Sequence, residues 1–350
     1  MKRQGYLFEK IRELDNIKTA ILRGSRGKRK RKQVAYCLEH LDDCALSIQK
    51  LIDGGYVPQK GRKLLITDGP KPRTIYVPKF YPDHIIEWAV LLQIQPILSR
   101  GMYAYSCSSI PGRGNSGAKK YVQRCLRDRK NTKYCLKADG HHYYDSIRHD
   151  CLMADLRRVV KDQRLLAWLE EILSGYGEGL PIGHILSQWL ANFYFQGLDH
   201  LIKENLGVKY YVRNMDDIVL LGSNKHKLHK VRADISRYLA DRGIVLNNNW
   251  QVFRVDDRGI DFVGYRFFHH KTILRRRNML KFSRKVRRVY KTKRYSAHNA
   301  ASIVCRLGQL RGTNCYGWYQ AWIKPYINVK KLKGVISRAN RQRISSARPV

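Results

Sequence analysis

Between Phe262 and Val350 the chain has no aspartate and no glutamate. That absence excludes a charge-balanced C-terminal segment, although residues 271–350 carry 22 Lys and Arg. Acids are scarce throughout, 28 against 68 Lys and Arg in 350 residues, a formal net charge of +40. Such a charge strains a compact chain unless a polyanion neutralises it, and nucleic acid is the polyanion whose binding runs on phosphate contacts. The eight cysteines (37, 44, 107, 125, 135, 151, 305 and 315) contain no CxxC pair and no zinc-ligand spacing, so they read as reduced intracellular thiols. No apolar run reaches the ~18 residues of a membrane span. Met1-Lys2-Arg3-Gln4 does not lead into a signal-peptide core. A cytoplasmic protein with no membrane partner is the expectation. Hydrophobic residues make up 43%, enough for the cores of two or three subdomains.

Periodicity then places the elements. Tyr6–Ile17, Val34–Ile52, Tyr81–Leu98, Ile185–Asn205 and Lys225–Arg242 have apolar residues at helical spacing. Lys63–Val77 reads as two strands around Asp68-Gly69-Pro70, and Tyr134–Ala138 as a short buried strand ending at Asp139. Ile244–Leu246, Val252–Val255 and Ile260–Phe268 read as further strands. The C-terminal segment sets Trp318, Tyr319, Trp322 and Tyr326 among its cations, a mixture that suits gripping a backbone and stacking on bases. Trp318 and Trp322 are expected to pack its core. Arg23–Lys32 is a second basic block; a solvated face is the bland alternative.

The chemistry centres on Asn214-Met215-Asp216-Asp217, between the strand-like runs Val208–Val212 and Ile218–Leu221. Adjacent acids at a hairpin tip repel one another, and a divalent cation is the simplest compensation. If the Asp139 strand neighbours this hairpin, three carboxylates converge. Such a cluster suits two magnesium ions that activate a 3′-hydroxyl and neutralise a triphosphate. A polar hairpin turn is the alternative for the pair taken alone.

These residues resemble the reverse transcriptase family. Tyr211-Val212-Arg213-Asn214-Met215-Asp216-Asp217 is similar to its active-site hairpin, usually Tyr-x-Asp-Asp. Lys71-Pro72-Arg73-Thr74-Ile75 resembles the basic fingers strand, and Pro111-Gly112-Arg113-Gly114 the loop before the palm. Asp139 with Tyr143-Tyr144-Asp145 resembles the first palm motif. Gly179-Leu180-Pro181-Ile182-Gly183 with Ser187-Gln188 resembles the nucleotide-pocket loop, and Phe262-Val263-Gly264-Tyr265 the primer grip. The six motifs follow the family's order across about residues 60–270.

The resemblance implies Asp139, Asp216 and Asp217 as catalytic metal ligands, with Mg2+ as a pair of ions and Mn2+ as a substitute in vitro. It implies Lys71, Arg73, Tyr144, Ile182, Gly183 and Gln188 at the deoxynucleotide. Tyr144 excludes a 2′-hydroxyl by bulk, a core aromatic being its rival. Arg113, Asn214, Met215, Gly264 and Tyr265 fall at the primer and template. The basic residues Lys28, Arg29, Lys30, Arg31, Arg284, Lys285, Arg287 and Arg288 are assigned to RNA. Ile182 with Ser187-Gln188 is similar to the bacterial enzymes of diversity-generating retroelements, with defence-associated and group II intron enzymes as relatives. An Ile cannot make a glutamine's hydrogen bonds, so base discrimination is expected to weaken. Departures from the pattern are Asn214 for the usual Tyr, Asp83-His84 for Asp-Arg, Gly140-His141-His142 after the first acid, and Ser106-Cys107-Ser108 for Gly-Phe-Arg.

The expected fold is α+β, a right-hand polymerase with fingers, a palm bearing an antiparallel sheet, and a helical thumb. Residues 1–60 are expected to form an N-terminal helical basic segment, 61–270 fingers and palm, and 271–350 a thumb with an RNA-binding tail. No separate RNase H, integrase or endonuclease region is expected. Expected partners are a template or dedicated noncoding RNA, the cDNA product and dNTPs; an accessory protein, a second polymerase subunit and a homo-oligomer stay open. The rival reading is a catalytically idle, maturase-like RNA-binding protein. Error-prone retroelement copying and antiviral defence are the two roles in view.

Overall fold

The computed structural model describes residues 3–67 and 72–345. The chain divides into two compact units: residues 1–118, 136–220 and 226–251 make the first, and residues 119–135, 221–225 and 252–350 the second.

The first unit is built around the helix Ile85–Ser99, which is apolar on nearly every side and accordingly buried. Shorter amphipathic helices pack near it. Two of the expected helices are each split in two. Leu7–Arg12 and Leu14–Gly24 are separated by an extended Glu13, and Lys32–Glu39 and Leu41–Asp53 break at His40. Asn16 explains the first break. Its side-chain amide donates to the freed Ile11 carbonyl at 2.9 Å and to Ala89 O at 3.1 Å, a local competition with the helix ladder. The long helix expected over residues 185–205 is Ile185–Tyr194, Gln196–His200 and a π-helical turn Leu201–Asn205, broken at Phe195, whose buried ring packs 4.4 Å from that of Tyr143. Asp162 caps the helix Gln163–Tyr176 through Leu165 N and accepts Phe8 N at 2.9 Å, fastening the N-terminal helix.

Nine strands are present among the described residues: β1 Arg62–Thr67, β2 Pro72–Val77, β3 Tyr134–Ala138, β4 Tyr210–Asn214, β5 Asp217–Gly222, β6 Gln251–Arg254, β7 Ile260–Phe262, β8 Tyr265–Phe267 and β9 Thr272–Leu274. β1 and β2 form an antiparallel pair, Thr67 opposite Pro72. A four-stranded sheet runs β4-β5-β3-β6. Residues 244–246 are not a strand; only Leu246 bridges, to Gly140. The segment 260–268 is a hairpin, because Val263 (φ 43) and Gly264 (φ 88) turn the chain.

In the second unit the sheet β7-β8-β9 accompanies the helices Arg276–Thr292, Ala297–Gln309, Tyr316–Trp322 and Val329–Ser345. The first of these buries Phe282, Val286 and Val289 at helical spacing, and they join Ala300, Ile303, Ile323 and Leu332 in one apolar cluster. Trp318 packs on that cluster as expected. Trp322 does not: its indole is 46% exposed, with the Arg287 guanidinium over its ring. Trp318 of the same short helix and Ile323 just beyond it make the contacts to the cluster. Among the described residues no helix is long and apolar enough to cross a membrane.

Candidate active site

β4 and β5 are joined by only Met215 and Asp216, so Asp216 lies at the turn and Asp217 opens β5. Met215 has φ 61, a left-handed conformation uncommon for a side-chain-bearing residue. β5 neighbours β3, and Asp139 is the first residue past β3. The two acid positions, far apart in sequence, therefore meet at one edge. A Cβ built on Gly140 would lie 3.6 Å from Asp216 Cβ.

Electrostatics report the same proximity. Burial pushes the Asp216 carboxyl up to about 6, with Asp139's charge adding to the rise and those of Arg73 and Arg213 opposing it. Burial pushes Asp217 up to about 7, opposed by Lys137 and reinforced by Asp216 and Asp139. Lys137 Nζ stands 3.6 Å from Asp217 Oδ1, too far for a hydrogen bond, and that oxygen is buried without a hydrogen-bond partner. A buried carboxylate oxygen with no donor, in a cluster whose charges resist ionisation, fits a hard cation with oxygen ligands. Among the described residues no three acid, His or Cys side chains close to metal-binding separation.

Two anchors hold the acids. Asn247 donates to Asp139 Oδ2 at 2.7 Å and to Gly140 O at 3.1 Å, while its backbone N–H donates to Asp139 O at 2.9 Å. Arg213 is wholly buried. It grips Asp199 through Nε (2.7 Å) and Nη2 (2.8 Å), and donates to Asn192 Oδ1 and O at 3.0 Å and to Met215 O at 3.1 Å. Tyr211 OH adds a 2.6 Å bond to Asp199. The turn carrying Asp216 is thus tied to the helical core by a charge-assisted fork. Motif reading passed over Arg213; a cation inside the apolar strand Tyr211-Val212 was the available signal.

The pocket loop is clasped to the β2 strand. Tyr76 N donates to Ile182 O at 2.7 Å, and a Cβ on Gly183 (φ +119) would sit 2.1 Å from Tyr76 O. Only glycine fits that approach. Leu180 N donates to Tyr144 O at 2.8 Å, and burial, then Asp216's charge, raises the Tyr144 phenol well above its usual range. Arg73, Tyr144, Gly183 and the acids therefore belong to one neighbourhood. Gln188 is half-buried on the helix that follows. Lys71 lies outside the described residues. His141 and Leu246 to Asn249 line a cavity of about 480 Å³ beside Asp139.

Other sequence-singled residues have different surroundings. Arg113 donates to Tyr103 O (2.6 Å) and Ser106 O (3.3 Å) within its own loop. Tyr265 is buried, its hydroxyl on Gln309 O at 3.2 Å, and Gly264 O accepts Arg275 N at 3.0 Å. Arg29, Lys30, Arg31, Arg284, Arg287 and Arg288 are exposed, and Lys285 donates to Asn299 at 2.6 Å. Lys28 instead reaches His84 Nε2 at 2.9 Å, where burial first, then Arg31, lowers its ammonium pKa. Asp83 accepts Tyr56 OH (2.9 Å) and Gln59 N (3.0 Å), so it keeps partners without an arginine beside it.

Beneath the pocket loop, His184 bonds Glu87 through Nδ1 and Lys60 O through Nε2 at 3.0 Å, with Tyr176 OH on Glu87 at 2.9 Å; Glu87 and His184 are fully buried. The neighbouring His84 is pushed down to about 3 by burial, Lys28 and His184. Its folded pKa lies below the unfolded value of 6.5, so the unfolded chain binds the extra proton and stability falls as pH drops from 6.5 toward 3. Denaturant unfolding should show His84→Gln losing less stability than wild type between neutral pH and about pH 4.5, by roughly 2 kcal/mol. Parallel curves for the two proteins would contradict the neutral, buried imidazole.

Residues 71–267, more than half of the chain, match the reverse transcriptase (RNA-dependent DNA polymerase) family, and the chain belongs to it. It is 27% identical over 168 residues to Escherichia coli protein YkfC, covering 44% of each chain. It is 29% identical over 167 residues to the Lactococcus lactis group II intron-encoded protein LtrA, covering 44% of this chain and 27% of that one. A Schizosaccharomyces pombe 91 kDa protein in the cob intron is 28% identical over 194 residues, covering 52% of this chain and 23% of that protein. The chain thus spans less than half the length of the curated relatives it matches. Telomerase from Candida tropicalis in complex with a TWJ fragment of telomeric RNA aligns over 83% of this chain and 55% of that one, at 14% identity and a TM-score of 0.47.

Proposed function

We propose that this protein is an RNA-directed DNA polymerase that extends a 3′-hydroxyl with deoxynucleotides. The observation that carries the proposal is the meeting of Asp139 with the Asp216-Asp217 turn across neighbouring strands, inside the segment that matches the family. Asp139, Asp216 and Asp217 are the residues that would hold Mg2+, which supplies activation of the attacking hydroxyl and neutralisation of the departing pyrophosphate. The chain's own side chains do the rest. Arg73, close enough to lower Asp216's pKa, donates to the triphosphate. Tyr144, held by Leu180, lies under the sugar. Gly183 lets the loop backbone approach the base, and Ile182 gives the incoming pair an apolar neighbour. A primed RNA template should be extended faster than a primed DNA template of the same sequence; equal rates, or a DNA preference, would make it a DNA-templated enzyme instead.

Sugar selection offers a second check. Tyr144→Ala should raise the ratio of ribonucleotide to deoxynucleotide incorporation by about 10–100-fold, read from single-nucleotide extension kinetics. An unchanged ratio would return Tyr144 to a purely structural role.

The template RNA is taken to be a dedicated noncoding RNA bound through the basic excess, for either error-prone retroelement copying or antiviral defence. The similarity to intron-encoded proteins and the +40 net charge support a bound RNA. Protein purified in high salt should retain a discrete RNA species by sequencing. RNA-free protein that copies any generic template at full rate would count against it.

A further inference from the structure

The geometry points to a stacking site for single-stranded nucleic acid on the second unit, formed by Trp322, Arg287, Tyr326, Tyr290 and Lys293. These five side chains form a continuous row of three rings and two cations, in the order Trp322, Arg287, Tyr326, Tyr290, Lys293. The Arg287 guanidinium lies 4.7 Å from the Trp322 ring centroid and 5.5 Å from that of Tyr326. Tyr326 meets Tyr290 edge to face at 5.4 Å, and Lys293 Nζ stands 4.2 Å from the Tyr290 centroid. Trp322 is 46% exposed and Tyr290 43%, and both cations are exposed.

Core packing accounts for Tyr326, which packs on the apolar cluster, but not for Trp322, Tyr290 or the two cations. The apolar cluster of this unit has its own members, and Trp318 is the tryptophan that packs on it. Local ion pairs do not account for them either, because no acid occurs anywhere from residue 262 to 350. Solvent-reaching rings in contact with cations, in a segment with no acid, complement a polyanion whose bases have free faces. A duplex has its bases already stacked on one another; a single strand does not. This deepens the proposed RNA role by naming which surface takes unpaired bases, and its test uses no deoxynucleoside triphosphates, so a failure of polymerisation and a failure of stacking stay distinguishable.

The test is fluorescence anisotropy of the full-length protein with labelled single strands of about 20 nucleotides, oligo(rU) and oligo(dT), and a blunt duplex of equal length. Salt of about 0.3 M suppresses generic phosphate binding. Trp322→Ala should weaken both single strands by about tenfold, leave the salt slope unchanged and scarcely affect the duplex. Trp322→Phe, which keeps a ring, should recover most of that loss. Arg284→Ala, a cation on the same helix that stacks on none of the row's rings, should weaken single strands and duplex alike and flatten the salt slope. If Trp322→Ala melts early, Tyr290→Ala at the exposed helix end is expected to give the same selective loss. Trp322→Ala and Tyr290→Ala binding every probe as wild type does, as a protein-docking surface would, or losing duplex and single strands equally, would overturn the proposal.

Discussion

Asp216→Asn should remove nucleotide addition by at least about a thousandfold while leaving the protein folded. Asn nearly preserves the shape of the side chain and takes away the charge that a divalent cation needs, and charge stabilisation by such ions is worth several kcal/mol in the transition state. The stability side of the prediction has the opposite sign. In chelator, the wild-type carboxylate is largely desolvated and feels the charge of Asp139, and its folded pKa of about 6 exceeds the unfolded 3.8. A carboxyl raised in the folded state contributes stability at low pH that is lost as pH rises through that interval. At neutral pH and without metal, Asp216→Asn should therefore melt no lower than wild type, and higher by an amount equivalent to about 1–3 kcal/mol. Added Mg2+ should stabilise wild type more than the variant. A variant that keeps activity, or that loses it only by unfolding, contradicts the assignment.

Arg213→Met should be the most damaging single change outside the acids. It leaves Asp199 buried beside Tyr211 with no cation, and it frees Asn192 and the Met215 carbonyl. Breaking a buried pair by removing one partner costs roughly 3–5 kcal/mol. Removing the second charge as well, in Arg213→Met with Asp199→Leu, should return a large part of that loss, because the uncompensated ion is gone. Activity is expected to stay low in the double variant even where stability recovers, since the tie to Met215 O that orients the Asp216 turn is still missing. Chemical denaturation and primer extension on the same four proteins of the cycle measure both. Full activity in a restored double variant would show that Arg213 matters only for folding.

The acids were legible because charge at a hairpin tip conflicts with local propensity, and such conflicts concentrate at functional sites. Gly183 was assigned to the nucleotide pocket, and what the structure places against it is the Tyr76 carbonyl, which periodicity does not report. The anchors were not legible. Arg213, Glu87 and His184 acquire meaning only from partners 14 or 97 residues away, which periodicity does not report. Helix breaks at Glu13 and Phe195 escaped for a related reason: apolar spacing continues across them, while a side-chain amide or a ring contact accompanies the change of backbone. Lys28 was grouped with its basic neighbours by composition, and only its position against His84 separates it. Trp322 was assigned to a core by residue type, although the core was already filled.

Acids 139, 216 and 217 are proposed to act together on a primer end. Extension of a DNA primer on an RNA template in Mg2+ by purified wild type and by Asp139→Asn, with binding of the primed RNA measured alongside, tests this most directly. Wild type is expected to add deoxynucleotides to the template end, and Asp139→Asn to bind the primed RNA equally well while adding none. Wild type that binds the primed RNA yet adds nothing, or Asp139→Asn that extends at the wild-type rate, would contradict it.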